Sequence, residues 1–140
     1  LTRVLDVKNA LESIALGMPL VTADRIQVTY GFPVRDIDRR WIAVGPVDWD
    51  SADWRTNRSR EEAFRVTVIF DVQITAGTSR DAEAYALLMA ADFEAAVSAD
   101  PSLAGLCVTS RFTPKALKSW PIPEMYEAQF ETEVYAVCRL

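Results

Sequence analysis

The residue types that most often carry chemistry are sparse in this sequence, and their spacing does not suit catalysis. There is no histidine, the side chain that usually moves protons near neutral pH. Ser79, Ser98, Ser102, Ser110 and Ser119 sit in no Gly-x-Ser-x-Gly elbow, the turn that exposes a nucleophilic serine beside its oxyanion hole. The five glycines are scattered, so no glycine-rich loop can wrap backbone N–H groups around a phosphate. Cys107 and Cys138 lie in the apolar runs Leu106-Cys107-Val108 and Ala136-Val137-Cys138. Such surroundings suit buried free thiols, and a disulfide between neighbouring strands is the other arrangement they allow. Two isolated cysteines without histidine do not make the usual zinc site.

Acidic residues do cluster, at Asp36 and Asp38 and then at Asp48, Asp50 and Asp53. The second group loosely follows a calcium-loop spacing, but the glycine and the terminal bidentate glutamate of such a loop are missing. A solvated acidic loop is the simpler expectation. Glu127, Glu131 and Glu133 share one face of the last strand-like segment. As a hydrolytic carboxylate pair they are weak candidates; facing solvent or meeting arginines is the plainer role. Arg65 belongs to the corresponding polar face of another long strand, and opposite charges across strands contribute ~0.2–1 kcal/mol per pair. In an assembly the same glutamates could meet arginines of the next copy. Trp41, Trp49, Trp54 and Trp120 stand at strand ends or in irregular segments. Each is either a core anchor or, beside arginine, the composition of an interface hot spot. Trp49, Trp54, Arg55 and Arg58 make the preferred contact patch.

The whole chain sets wider bounds. Its 140 residues, half of them apolar, suit one globular domain over residues 1–140 with its own core. The net charge of −5 disfavours a whole-surface grip on nucleic acid, which needs clustered positive charge. Twelve of the fifteen cations are Arg, whose fixed fork suits protein interfaces. No apolar run approaches the ~20 residues needed to cross a bilayer, no signal peptide is visible, and synthesis in a reducing cytosol is the default expectation.

The elements that would position these residues follow from periodicity. Residues 3–16 carry an apolar stripe at helical spacing, stopped by Gly17 and Pro19. Residues 25–30 alternate as a strand with Ile26, Val28 and Tyr30 on one face, and 41–44 make a second short strand. Residues 45–60 are the least regular stretch, an open loop or a hairpin. Residues 62–74 form the clearest strand: Phe64, Val66, Val68, Phe70, Val72 and Ile74 point one way, and Arg65, Thr67, Asp71 and Gln73 the other. Residues 79–98 form the strongest helix, opened by a capping box at Thr78–Asp81 and closed by Asp100-Pro101. A strand over 106–112 is interrupted by Pro114, Trp120–Pro123 is a stiff turn, and residues 126–138 alternate again. The expected fold is α+β: a two-layer sandwich, with a mostly antiparallel sheet of four to five strands and two helices on one face.

The two longest strands, 62–74 and 126–138, have thirteen residues each. At ~3.3 Å per residue they span roughly 43 Å, whereas a domain this size has a radius of gyration of only about 14 Å. Either the strands bend or bulge into shorter pieces, or they overrun the core and are completed by adjacent copies, since bare edges invite uncontrolled pairing.

The layout resembles the tail terminator proteins of long-tailed bacteriophages, especially those infecting actinobacteria. The similarity runs through nearly the whole chain: an N-terminal helix; a strand like Ile26-Gln27-Val28-Thr29-Tyr30-Gly31-Phe32-Pro33; a short strand like Trp41-Ile42-Ala43-Val44-Gly45; a Trp-containing segment leading into Arg60-Glu61-Glu62 and a long strand; a helix ending like Asp100-Pro101-Ser102-Leu103-Ala104-Gly105; and a long closing strand. It rests on order and spacing, because the motifs are short and degenerate. The resemblance implies a hexameric ring on the head-proximal end of the tail tube. Such a ring stops tube polymerisation and meets the head-side connector or neck protein. Its partners are copies of itself, the tail tube protein and that connector, with double-stranded DNA only in transient passage through the lumen and no membrane. An acidic subunit would give a lumen that does not hold DNA. The family offers no catalytic residue to carry over, so neither enzyme activity nor a cofactor is expected. The site candidates are contacts alone: Trp49, Trp54, Arg55, Arg58, Arg65, Glu127, Glu131 and Glu133. A head-completion or connector protein is the nearest alternative. A ferredoxin-like small-molecule-binding or enzymatic domain is a more distant one, and would need a closed apolar pocket with converging polar groups.

Overall fold

The computed structural model describes residues 2–33, 37–56 and 59–140, with the backbone alone for 51–56 and 59. The chain runs α1 (Val4–Leu16), α2 (Pro19–Ala23), β1 (Gln27–Tyr30), β2 (Arg40–Thr56), β3 (Ser59–Ile74), α3 (Ser79–Ala99), β4 (Thr109–Ile122) and β5 (Met125–Arg139). The strands form one sheet in the order β1-β2-β3-β5-β4. β1 runs parallel to β2 and every other pairing is antiparallel. The α+β architecture matches the expectation from sequence, with the short α2 added: Pro19, which ends α1, also occupies the first turn of α2, where its missing N–H costs nothing.

One face of the sheet carries the helices. Phe64, Val66, Val68, Phe70 and Val72 of β3 and Ala128, Phe130, Val134, Ala136 and Cys138 of β5 pack against Val7, Leu11 and Ala15 of α1 and Ala82, Ala86, Met89, Ala90, Phe93 and Val97 of α3. Period two on the strands and period 3.6 on the helices thus meet in a single core. Phe93 lies edge-on to Phe70, ring centroids 5.6 Å apart. Thr78 opens α3 with its backbone N–H donating to Asp81 Oδ2 at 2.8 Å. On the opposite face Trp41, Ala43 and Ile69 form a small second cluster, which explains why Ile69 breaks the polar alternation of β3.

One open choice is decided and two expectations need correction. Of the open loop and the hairpin that the sequence allows for residues 45–60, the hairpin is present: β2 and β3 pair antiparallel, with register shifts between Val44 and Val47, Trp49 and Ser51, and Trp54 and Thr56. Gly45 sits at the first of these irregularities, where a Cβ would come within 3.2 Å of the Thr67 carbonyl oxygen. Pro114 does not interrupt the fourth strand, which starts at Thr109 and runs to Ile122, and the stiff turn shrinks to Pro123 and Glu124. β4 is an edge strand, and proline is tolerated where its nitrogen faces away from the ladder. In a two-residue hairpin the flanking pair, here Ile122 and Met125, is hydrogen-bonded. Alternation then turns the nitrogen of Pro121 outward, and the irregularity between Pro114 and Ala116 gives Pro114 the same orientation. Finally, the long strands are not left for other copies to complete. β3 is paired by β2 on one side and β5 on the other, and β5 by β3 and β4. Both are satisfied inside one chain.

Candidate assembly surface

The contact candidates divide between the two faces of the sheet. Trp49 on β2 stands opposite Phe64 of β3, so it belongs to the helix-bearing face, past the end of the packed core. Its side chain is 54% exposed, yet it is held from behind. Its ring centroid lies 6.5 Å from that of Phe64, and its indole N–H donates to Glu62 Oε2 at 3.3 Å. Glu62 is buried at the end of the apolar register of β3. Its carboxylate also accepts from the Thr2 hydroxyl, at 2.9 Å on Oε1, and from the Arg3 backbone N–H at 2.7 Å. One acid therefore fastens the start of α1, the upper part of β2 and β3 to each other.

Arg65, Glu127, Glu131 and Glu133 lie on the other, helix-free face. Arg65 bonds Asp50 Oδ2 at 3.1 Å and approaches Glu133 at 3.8 Å. Lys115 bridges Glu133 at 3.3 Å and Glu131 at 3.5 Å, contacts that hold its ammonium above the ordinary lysine range, the hydrogen bond to Glu133 foremost. Arg65 and Arg111 also flank the Tyr135 ring, 5.7 and 5.6 Å from its centroid. The expected meeting of glutamates and arginine across strands is thus present within the chain, with Lys115 joining it. Exposed pairs of this kind contribute little individually, but they leave these charges engaged. Arg58 and Asp36 lie outside the described residues, as do the side chains of Trp54, Arg55 and Asp53.

Farther along the same face lies Asp71, which periodicity grouped with exposed polar residues. It is fully buried, in a row with Trp41 of β2, Gln129 of β5 and Lys118 of β4. Gln129 donates to its Oδ2 at 3.2 Å, and among the described residues Oδ1 receives no hydrogen bond. Burial first, and then the neighbouring Glu127 carboxylate, push its pKa up to about 8. The only sequence-level hint is the adjoining Ile69, whose apolar side chain on the polar face marks a patch that is covered.

Elsewhere, a cleft of about 530 Å³ is lined by Asp24, Arg25, Asp38, Arg39, Arg40 and Gln73, among others. Tyr85 donates to Asp24 there, and burial followed by that bond pushes its hydroxyl up to about 12. The Arg40 guanidinium covers the Tyr85 ring at 4.6 Å. This charged lining is unlike the apolar pocket a small-molecule site would use. Among the described residues no three His, Cys, Asp or Glu converge to hold a metal, and no helix is long and apolar enough to cross a membrane.

The unpaired backbone lies at the sheet's flanks. β1 covers β2 only from Trp41 to Val44, so among the described residues the outer edge of β2 from Val47 to Thr56 has no strand beside it. The outer edge of β4 is open too, interrupted by Pro114 and Pro121 and flanked by Lys115 and Lys118.

No protein-family model matches the chain, and no curated protein matches it in sequence. Among solved structures, a chain in the virion of a native gene transfer agent particle shares its architecture, with a TM-score of 0.51 and 12% identity over 93% of each chain. At that identity, what the two have in common is the fold.

Proposed function

We propose that this chain is a structural, non-enzymatic virion subunit, and specifically a tail terminator. Copies of it form a ring, hexameric in the resemblance, that caps the head-proximal end of a tail tube, ends tube polymerisation and presents a surface to the head-side connector. The observation that carries this reading is the likeness of fold to a gene transfer agent virion chain across 93% of both. The open edge of β2 supports the ring. A ring uses a heterologous contact, two unlike surfaces that meet and close by rotation, and an unpaired strand beside a half-exposed tryptophan supplies one such surface. The net charge of −5 fits a lumen that lets DNA pass without holding it.

The test is the state of assembly of the purified chain, with and without tail tube protein, by native mass spectrometry and negative-stain imaging. A closed ring with a central hole, free or seated on tube ends, is expected. A subunit that stays monomeric in both conditions and leaves tube length unregulated overturns the terminator role. A head-completion or connector subunit would share the same fold likeness, and locating the subunit in a virion reconstruction separates that reading from this one.

A further inference from the structure

Cys107 and Cys138 are free and buried, and the Cys138 thiol donates to Cys107 Sγ at 3.1 Å. Cys107 lies between α3 and β4, and Cys138 near the end of β5, so 31 positions separate them in sequence. Their surroundings differ. Cys107 borders a surface cleft of about 290 Å³ that is also lined by Arg3, Gly105, Leu106, Val108 and Arg139. Cys138 has no exposed surface and belongs to the main core.

We propose that the two cysteines form a reactive dithiol that small disulfides of the glutathione class oxidise to an intrachain disulfide, with the cleft between Arg3 and Arg139 admitting the anionic reagent. The order of attack follows from the geometry. Cys107 receives the hydrogen bond from Cys138, which holds its thiol below the ordinary range against the opposing effect of burial. The same bond, burial and the nearby Glu62 carboxylate push Cys138 up. Cys107 is therefore the thiolate that attacks. Its sulfur bonds to one sulfur of glutathione disulfide, the reagent's S–S bond breaks, and one glutathione leaves as thiolate. Cys138 then attacks Cys107 Sγ in the mixed disulfide as its proton passes to the departing sulfur, and the second glutathione leaves as the thiol. Two protein thiols are oxidised to one disulfide while one glutathione disulfide is reduced to two thiols. The new bond would tie the segment entering the edge strand β4 to the end of β5. The inference rests on the thiol pair alone and stands apart from the assembly role.

The experiment treats the full chain, folded, with glutathione disulfide and reads intact mass and free-thiol content. The expected product has lost two hydrogens, both thiols and any glutathione adduct, and it melts several degrees higher than the reduced form. Cys138→Ser should halt at a stable mixed disulfide on Cys107, while Cys107→Ser should leave Cys138 unmodified until denaturant is added. Arg139→Glu should slow the reaction several-fold with glutathione disulfide and leave it unchanged with a neutral disulfide such as hydroxyethyl disulfide. The proposal fails if both thiols of the folded wild-type chain resist the reagent, if the two single variants form adducts at equal rates, or if cross-linked dimers accumulate in place of the intrachain bond.

Discussion

Replacing Asp71 with asparagine is expected to stabilise the protein, and to do so more strongly as pH rises. The folded chain holds this carboxyl's pKa at about 8 against an ordinary value of 3.8, so between those values it keeps a proton that the unfolded chain releases. A raised pKa in the folded state means that this group's contribution is complete below about pH 4 and is lost as pH rises toward 8, after which both states are ionised and the loss is constant. Each pH unit across that window costs about 1.4 kcal/mol, which gives a ceiling near 4 kcal/mol at pH 7. Because effective dielectric constants inside proteins exceed that of a dry interior, about half of this, ~2 kcal/mol, is the expected effect. Asp71→Asn keeps an acceptor for the Gln129 amide and leaves no group to ionise beside Glu127. Urea unfolding of both proteins at about pH 5, pH 7 and pH 9 measures the difference. The wild type should lose stability across this range relative to the variant, so that the gap widens with pH. A gap that is independent of pH, or a variant less stable than wild type at about pH 9, would refute the account of a buried acid confronted by a second carboxylate.

Two further substitutions probe the upper end of the sheet. Glu62→Ala removes the acceptor shared by Thr2, Arg3 and Trp49 and should cost about 2 kcal/mol, read as a lower urea midpoint with a red-shifted tryptophan emission; an unchanged midpoint would show that the clamp carries no stability. Trp49→Ala should leave far-UV circular dichroism intact and weaken ring assembly about 30-fold, the loss typical of a hot-spot side chain; rings of undiminished stability would remove Trp49 from the copy-to-copy contact.

The sequence shows its fold wherever one face of an element is buried and the other wet. β3, β5 and α3 were legible within a residue or three because their apolar positions repeat at the periods their backbones impose. What the sequence leaves open and what it misreads share a physical cause. The β2 extension carries acids, arginines and two tryptophans without clean alternation, because three register shifts break its period; strand pairing, a non-local property, organises it. Pro114 was read as a stop because local propensity forbids proline in a ladder, whereas the edge position of β4, which only topology reveals, lets its nitrogen face outward. At the site level, Arg65, Glu131 and Glu133 were placed on their shared face correctly, since parity fixes it. Asp71 escapes notice as a buried acid because parity tells which face a side chain occupies and not whether that face is covered, and Glu62 because parity does not tell how far along the strand the cover on its face extends.

From sequence, β3 and β5 are long for one domain, and either bending or completion by a neighbouring copy would accommodate the extra length. Instead β2 and β4 grow to match them, which moves the unsatisfied backbone outward to two unlike flanks. Between Pro114 and Pro121 the edge of β4 offers only a short run of outward N–H groups, so a strand docking there could form a ladder over that run and in few registers. The outer edge of β2 beyond Val47 carries no proline, although two register shifts fall within it. In a heterologous ring, one restricted edge meeting one open edge permits a defined contact and disfavours two β4 edges pairing with each other. On this footing the prolines that obscured β4 in the sequence act as devices that keep subunit addition specific.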